Sequence, residues 1–217
     1  MFRAVIIANG VLPDLEKARA LLRADDVILC ADGGLMHAQA LGLKPDKVIG
    51  DMDSLSKQYL NELTKSNGEV ILYPADKNKT DLELAMEHAV ELGVDEILVM
   101  AALGNRLDQT LSNIGLLMGD EPSTKDVRLD DGVEEVFFCK DHAQINGSRG
   151  DTVSLIPWGG LVGGINTEGL KWPLMNDSLF VESSRGISNS MLTETASVSI
   201  TFGLLLIVHR RLGTPAL

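Results

Sequence analysis

Four short acidic motifs stand out in the first half of the 217-residue chain. They are Ala31-Asp32-Gly33-Gly34, Gly50-Asp51-Met52-Asp53-Ser54, Asp76-Lys77-Asn78-Lys79-Thr80-Asp81 and Gly104-Asn105-Arg106-Leu107-Asp108-Gln109. Carboxylates beside glycines, just after apolar runs, suit a magnesium–polyphosphate site. Glycine lets backbone approach a ligand closely, and carboxylate oxygens hold a hard divalent cation. Asp51 and Asp53 are spaced i, i+2, so on extended backbone they face the same way, and a cation between them relieves their repulsion. Asp81 opens a helix, where a carboxylate offsets the dipole, and from there it can also turn toward the metal. Lys77 and Lys79 are cations for phosphate oxygens or surface charges, and the surface reading suits Lys77 better. Gly104-Asn105-Arg106 joins a strand to a helix, so backbone N–H groups and one arginine make an anion site. Arg106 is the preferred phosphate clamp, with an ion pair to a neighbouring Asp as its alternative. Asp108 either caps the helix or accepts a hydrogen bond from a substrate amine.

The elements around these motifs alternate. Apolar runs at 4–8, 27–31, 47–49, 69–73 and 97–101 predict strands. Segments 14–23, 35–41, 56–65, 80–92 and 108–118 predict helices, the strongest being 80–92 with Leu82, Leu84, Ala85, Ala89 and Leu92 on one side. Such alternation implies an α/β domain with a mostly parallel sheet covered on both faces, a Rossmann-like three-layer arrangement. Ligands of open α/β sheets bind beyond the carboxyl ends of the strands, and every acidic motif follows a strand. After Gly119-Asp120-Glu121-Pro122 the rhythm changes. Short runs at 133–140, 143–146, 152–157, 179–182, 192–198 and 204–209, separated by Asn-Gly and Gly-Gly turns, predict an all-β sandwich or flattened barrel. Two domains are therefore expected, 1–122 and 123–217.

A net charge of −12 argues against a nucleic-acid binder, which needs a basic surface. Cys30 and Cys139 sit in apolar runs and read as buried free thiols. The N-terminus lacks the pattern of a signal peptide, and no stretch is long enough to span a membrane, so the expectation is a cytoplasmic protein. There is no Gly-x-x-x-x-Gly-Lys-[Ser/Thr] loop and no Gly-x-Gly-x-x-Gly fingerprint after a strand, which excludes an ordinary P-loop ATPase or dinucleotide dehydrogenase. The four histidines show no metal-ligand spacing.

Taken in order, these motifs resemble the thiamine pyrophosphokinase family. The matching pieces are Asn9-Gly10 with Pro13, Ala31-Asp32-Gly33-Gly34, Gly50-Asp51-Met52-Asp53-Ser54, Thr80-Asp81, Gly104-Asn105-Arg106-Leu107-Asp108, Glu168-Gly169-Leu170-Lys171-Trp172-Pro173-Leu174 and Gly186-Ile187-Ser188-Asn189. The resemblance covers nearly the whole chain. It implies an ATP-binding α/β domain, a thiamine-binding β-sandwich, and a homodimer with active sites at the subunit interface. The implied reaction transfers the pyrophosphoryl group of ATP to the hydroxyl of thiamine, giving thiamine diphosphate and AMP. By the same resemblance Asp51, Asp53 and Asp81 hold Mg2+ and act with Arg106 in catalysis. Asn9, Asp32, Gly33, Gly34, Lys79, Gly104, Asn105 and Arg106 bind ATP, and Asp108, Ser188 and Asn189 hold thiamine. Trp172 is expected to pack rather than stack on a ring. The sequence departs from the family's pattern at Asn78, where many members carry Asp, at Asn105, a frequent glycine, and at Gln109, a frequent histidine. The competing readings are a pyrophosphokinase for another hydroxymethyl heterocycle, such as a pterin, and a non-catalytic binder.

Overall fold

The computed structural model describes residues 1–51, 68–74, 76–119 and 125–212. The expected helix at 56–65, Asp53 and the linker around Pro122 lie outside the described residues. The chain divides into two compact units, Met1–Gly132 and Val133–Leu217.

The first unit runs β1 (Arg3–Ile7), α1 (Leu15–Ala20), β2 (Val27–Ala31), α2 (Gly34–Leu41), β3 (Lys47–Gly50), β4 (Glu69–Leu72), α3 (Asp81–Glu91), β5 (Glu96–Met100), α4 (Leu107–Leu116) and β6 (Asp126–Asp130). Its strands lie in the order β6-β5-β1-β2-β3-β4, and the pairings among them are all parallel. Parallel strands buried on both faces need apolar residues throughout, and β1 is buried along its whole length. One face packs Val5, Ile7, Ile28, Cys30, Val48, Leu98 and Met100 against Ala18 of α1 and Leu35, Ala38 and Leu41 of α2. The two-residue period of the strands sends Ile6, Leu29, Ile49 and Val99 to the opposite side. Helix α3 crosses β1, β2 and β3, burying Leu82, Leu84, Ala85, Met86 and Ala89. Thr80 caps it by accepting from the Glu83 amide at 3.2 Å, and Gly93 leaves it with φ +73°.

The second unit runs β7 (Glu134–Cys139), β8 (His142–Asn146), β9 (Thr152–Pro157), β10 (Val162–Glu168), β11 (Asp177–Leu179), β12 (Asn189–Ser190), β13 (Thr195–Ser199) and β14 (Leu205–Arg210). Antiparallel pairing gives two four-strand arrays, β12-β9-β14-β7 and β11-β10-β13-β8. Alternate residues of both arrays meet in one core that includes Phe137, Ile145, Leu155, Ile165, Val198 and Ile207. Below it lies a buried polar group. His209 is fully buried, with Nδ1 3.2 Å from Glu135 Oε2 and Nε2 3.1 Å from Asp151 Oδ2.

Three expectations are corrected here. The division falls after Gly132 rather than after residue 122, because β6 pairs in parallel with β5 and so belongs to the first unit. The strand expected at 179–182 lies at Asp177–Leu179. Strand β10 is found where Gly163 and Gly164 suggest only turns; a register shift between Gly163 and Ile165, with Gly164 at φ +67°, absorbs both glycines in a bulge.

Candidate active site

Strand order creates the site. From β1 the chain advances through β2, β3 and β4, then returns to place β5 on the other side of β1. At such a switch point ligands bind in a crevice at the carboxyl ends of the strands. A cavity of about 480 Å³ occurs there, lined by Ala8, Asn9, Gly10, Ala31, Asp32, Thr80, Asp81, Leu82, Ala101, Ala102, Gly104, Asn105, Arg106, Gln109 and Asn113. Four separate segments therefore converge, following β1, β2 and β5 and opening α3.

The backbone here is held in unusual conformations. Asp32, Ala101 and Asn105 have φ of +47°, +53° and +56°, costly for residues with a side chain. Such strain concentrates at functional sites, where surrounding bonds enforce it. The Asp32 amide donates to Ile49 O at 2.8 Å, and the Arg106 amide to Gly104 O at 2.7 Å. Gly10 donates to Ala101 O at 2.6 Å and Val11 to Leu103 O at 2.9 Å, tying the two loops together.

Of the expected nucleotide residues, Asn9, Asp32, Gly104, Asn105 and Arg106 line the cavity, as does Asp81. Gly33 and Gly34 do not. Gly34 starts α2 so close to β1 that a Cβ there would lie 1.9 Å from Ile7 O, so its close approach is to the strand. Asp51 follows β3 but is not on the cavity wall, and Asp53 lies outside the described residues.

The charged groups sort differently from the expectation. Lys79 is paired with Glu87 of α3, which raises the pKa of its ammonium. It is Lys77, expected at the surface, whose side chain is only 15% exposed and lies 3.0 Å from Asp81 Oδ1. The approach is off-axis: among the described residues Asp81 Oδ1 is a buried oxygen that no hydrogen bond satisfies. Arg106 pairs with Asp108, Nη2 to Oδ2 at 2.6 Å and Nε to Oδ1 at 3.2 Å, and both side chains are two-thirds exposed. The bond from Arg106, reinforced by the Gln109 amide, holds the Asp108 carboxyl below the usual carboxylate range. Arg106 itself is the residue before α4, so Asp108 is not its cap.

Asp81 offers a buried hard oxygen with unused capacity, and Asp32 shares its cavity. Asp51 adjoins Gly50, whose added Cβ would lie 3.3 Å from Asp32 Cα, so Asp32 and Asp51 come from neighbouring backbone. These residues fit magnesium in kind. Among the described residues no cluster of three potential ligands is formed.

Thr80, Gln109 and Asn113 also line the cavity, and the sequence pattern assigned none of them a place in the site. Gln109 and Asn113 are four apart on α4, a spacing that would have flagged Asn113.

The second unit has its own cavity of about 370 Å³, lined by Leu155, Trp172, Pro173, Leu174, Arg185, Gly186, Ile187, Ser188 and Asn189. Ser188 holds φ +59°, its amide bonded to Ser154 Oγ at 3.0 Å. Asn189 accepts from the Trp172 amide at 3.1 Å and donates to Trp172 O at 2.7 Å, fixing that loop. Trp172 does not pack into the core: it is 56% exposed, with Lys171 Nζ 4.8 Å from its ring centre.

Comparison with known proteins adds an independent line. The thiamin pyrophosphokinase catalytic-domain profile matches residues 18–129, and the family's vitamin B1 binding-domain profile matches residues 141–205. The thiamine pyrophosphokinase of Bacillus subtilis strain 168 is 28% identical, covering 94% of this chain and 96% of its own. Thiamine pyrophosphokinase 1 of Oryza sativa subsp. japonica is 31% identical, covering 91% and 83% respectively. The crystal structure of the Bacillus subtilis thiamine pyrophosphokinase superposes with a TM-score of 0.85 at 24% identity, over 96% of this chain and 99% of that one. The structure of the Candida albicans thiamin pyrophosphokinase superposes at 0.78 with 17% identity, over 96% and 90%. The two structural likenesses speak to fold alone; the profiles and the relatives at about the same length carry the assignment, and the chain belongs to the thiamine pyrophosphokinase family.

Proposed function

We propose that this chain is a thiamine pyrophosphokinase that transfers the pyrophosphoryl group of ATP to the hydroxyl of thiamine, releasing AMP. Beside family membership, the observation that carries this reading is the switch-point cavity, which brings the Asp81 carboxylate together with a glycine-containing loop and an arginine. The doubly covered parallel sheet supports a Rossmann-like, three-layer description of the ATP-binding unit.

The chemistry is attack by the thiamine hydroxyl on the β-phosphorus, which demands positioning and charge neutralisation more than covalent help. The loop at Gly104–Arg106 offers backbone N–H groups and a guanidinium to phosphate oxygens. Arg106 leaves its partner Asp108 to do so, or binds phosphate with Asp108 steadying it. Asn9 and Asp32 border the nucleotide, and Asp81, with Asp51 and Asp53, would hold Mg2+, which would supply neutralisation of phosphate charge. Lys77, beside Asp81, is a better placed cation than Lys79. Asp81 and Asp108 are the candidate acceptors of the hydroxyl proton.

Thiamine recognition is assigned to Ser188, Asn189 and the second cavity, with Asn189 acting by fixing the Trp172 loop. A homodimer with active sites at the subunit interface is part of this reading. Its support is apolar surface on the second unit: Trp172, Met175, Phe180, Val181 and Ile187 are all exposed. Two free, buried cysteines suit a reducing cytoplasm. Among the described residues no helix is long and apolar enough to cross a membrane.

Incubation with ATP, magnesium and thiamine, read by mass, tests the proposal. Thiamine diphosphate and AMP in equal amounts are expected. Thiamine monophosphate with ADP would overturn the reaction type.

A further inference from the structure

Two side chains outside the expected set hold the phosphate wall of the first cavity together. The wall consists of the loop after β1 and the loop after β5. Their backbones approach at a spacing only glycine permits, since a Cβ on Gly10 would lie 2.5 Å from Ala101 O and 2.8 Å from Leu103 O. Each loop is also held by a side chain from a helix. His37 of α2 places Nε2 3.0 Å from Gly10 O, and Asn113 of α4 donates from Nδ2 to Ala102 O at 2.8 Å. Both acceptors are carbonyls, so the chemistry fixes the donors: His37 must carry a proton on Nε2, and Asn113 must present its NH2. Ala102 is buried, and its neighbour Ala101 carries the strained φ of +53°. Without Asn113 a buried carbonyl loses its partner at the point where backbone strain must be held.

We propose that His37 and Asn113 are positioning residues for nucleotide phosphate, acting by holding the two wall loops in place. The inference rests on the nucleotide reading of this cavity. It predicts a separation that ordinary structural support would not give. Loosening the wall weakens ATP use, while thiamine recognition, assigned to other residues, is untouched.

The test is a set of four variants of the full chain: His37→Leu, His37→Gln, Asn113→Leu and Asn113→Asp. Glutamine keeps a donor near the position of Nε2; leucine removes it; aspartate keeps the shape of Asn113 but turns its donor into an acceptor. Each is assayed for ATP KM, thiamine KM and kcat, and for the rise in melting temperature with ATP. The expected result is an ATP KM raised about ten-fold, as for loss of one buried hydrogen bond, in His37→Leu, Asn113→Leu and Asn113→Asp. Thiamine KM stays within about two-fold, and His37→Gln returns toward the parent. A lower melting temperature with an unchanged ATP KM, or a shift in thiamine KM instead, overturns the proposal. If the parent makes no thiamine diphosphate, the function proposed above fails. Loss of the ATP-induced melting shift in the leucine variants, retained in His37→Gln, would still uphold the positioning role, and an equal shift in all would overturn it. His37 is only partly buried, so its pair of variants keeps the test open should the Asn113 variants fold poorly.

Discussion

Gly10→Ala is the smallest change with a large calculable effect. The added methyl carbon would sit 2.5 Å from Ala101 O, 2.8 Å from Leu103 O and 3.1 Å from Ala101 C. A carbon and a carbonyl oxygen settle no closer than about 3.3 Å, so the loops must part by roughly 0.8 Å. The obstacles are backbone atoms and cannot rotate away. That movement stretches the Gly10–Ala101 bond, now 2.6 Å, to the edge of hydrogen bonding and strains the Val11–Leu103 bond of 2.9 Å. One or two weakened bonds at about 1 kcal/mol each, plus overpacking at the low end of its 1–3 kcal/mol range, come to about 2–3 kcal/mol. At about 3 °C per kcal/mol the melting temperature should fall by roughly 6–9 °C. A wall displaced by nearly an ångström should also cost on the order of 10- to 100-fold in kcat/KM for ATP. Circular dichroism on heating and an AMP-release assay, run well below the melting point, read the two effects. Gly93→Ala serves as the control. Gly93 has φ +73° but nothing within 4 Å, so alanine there should cost only about 1 kcal/mol of strain and no activity. A Gly10→Ala protein that melts and turns over like its parent would refute the reading of the wall as a tightly fitted surface.

Asp81→Asn should reduce turnover by at least about 100-fold with an unchanged circular dichroism spectrum, since it removes the charge of an oxygen that no hydrogen bond satisfies among the described residues; near-normal turnover, or unaltered dependence on magnesium concentration, would remove Asp81 from the metal site. Arg106→Ala should raise the ATP KM by roughly ten-fold or more, as expected for a lost charge-assisted contact; a collapse of thiamine affinity with ATP kinetics intact would reassign the loop. In the second unit, burial alone would raise the Asp151 carboxyl, but the Leu212 and Ser148 amides and His209 outweigh it and hold its pKa below the usual range. A depressed folded pKa contributes stability above the unfolded value that is lost as pH falls through the folded one. Asp151→Asn should therefore be less stable than the parent near neutrality, with the gap closing below about pH 4 in urea titrations; a gap independent of pH would contradict it.

Much of the first unit was legible because its strands are short apolar runs and its helices are amphipathic. Val27–Ala31 was expected at its observed bounds. Strand β6 was missed because its sequence, Asp126-Val127-Arg128-Leu129-Asp130, offers only two apolar residues, and parallel pairing with β5 supplies what pattern does not. Strand β10 was missed because its glycines read as turns until the bulge is seen. In the site, Asp32, Asp81, Gly104 and Arg106 were legible because each follows a strand or opens a helix. The exchange of Lys77 for Lys79 was not, since four residues of loop decide which ammonium turns inward. Nor was Asn113, which matters for a bond to a backbone carbonyl eleven residues away.

The central place of β1 has a consequence for how the protein is made. Its partners are β2, next in the chain, and β5, which begins at Glu96. During synthesis the first strand emerges early yet keeps one edge unpaired until some ninety residues later, when β5 arrives. An open apolar strand edge is a template for association with other chains. Nascent chains halted before Glu96 should accumulate as aggregates or bound to chaperones, and chains extended past Arg106 should become soluble and protease-resistant in the same step that completes the phosphate wall.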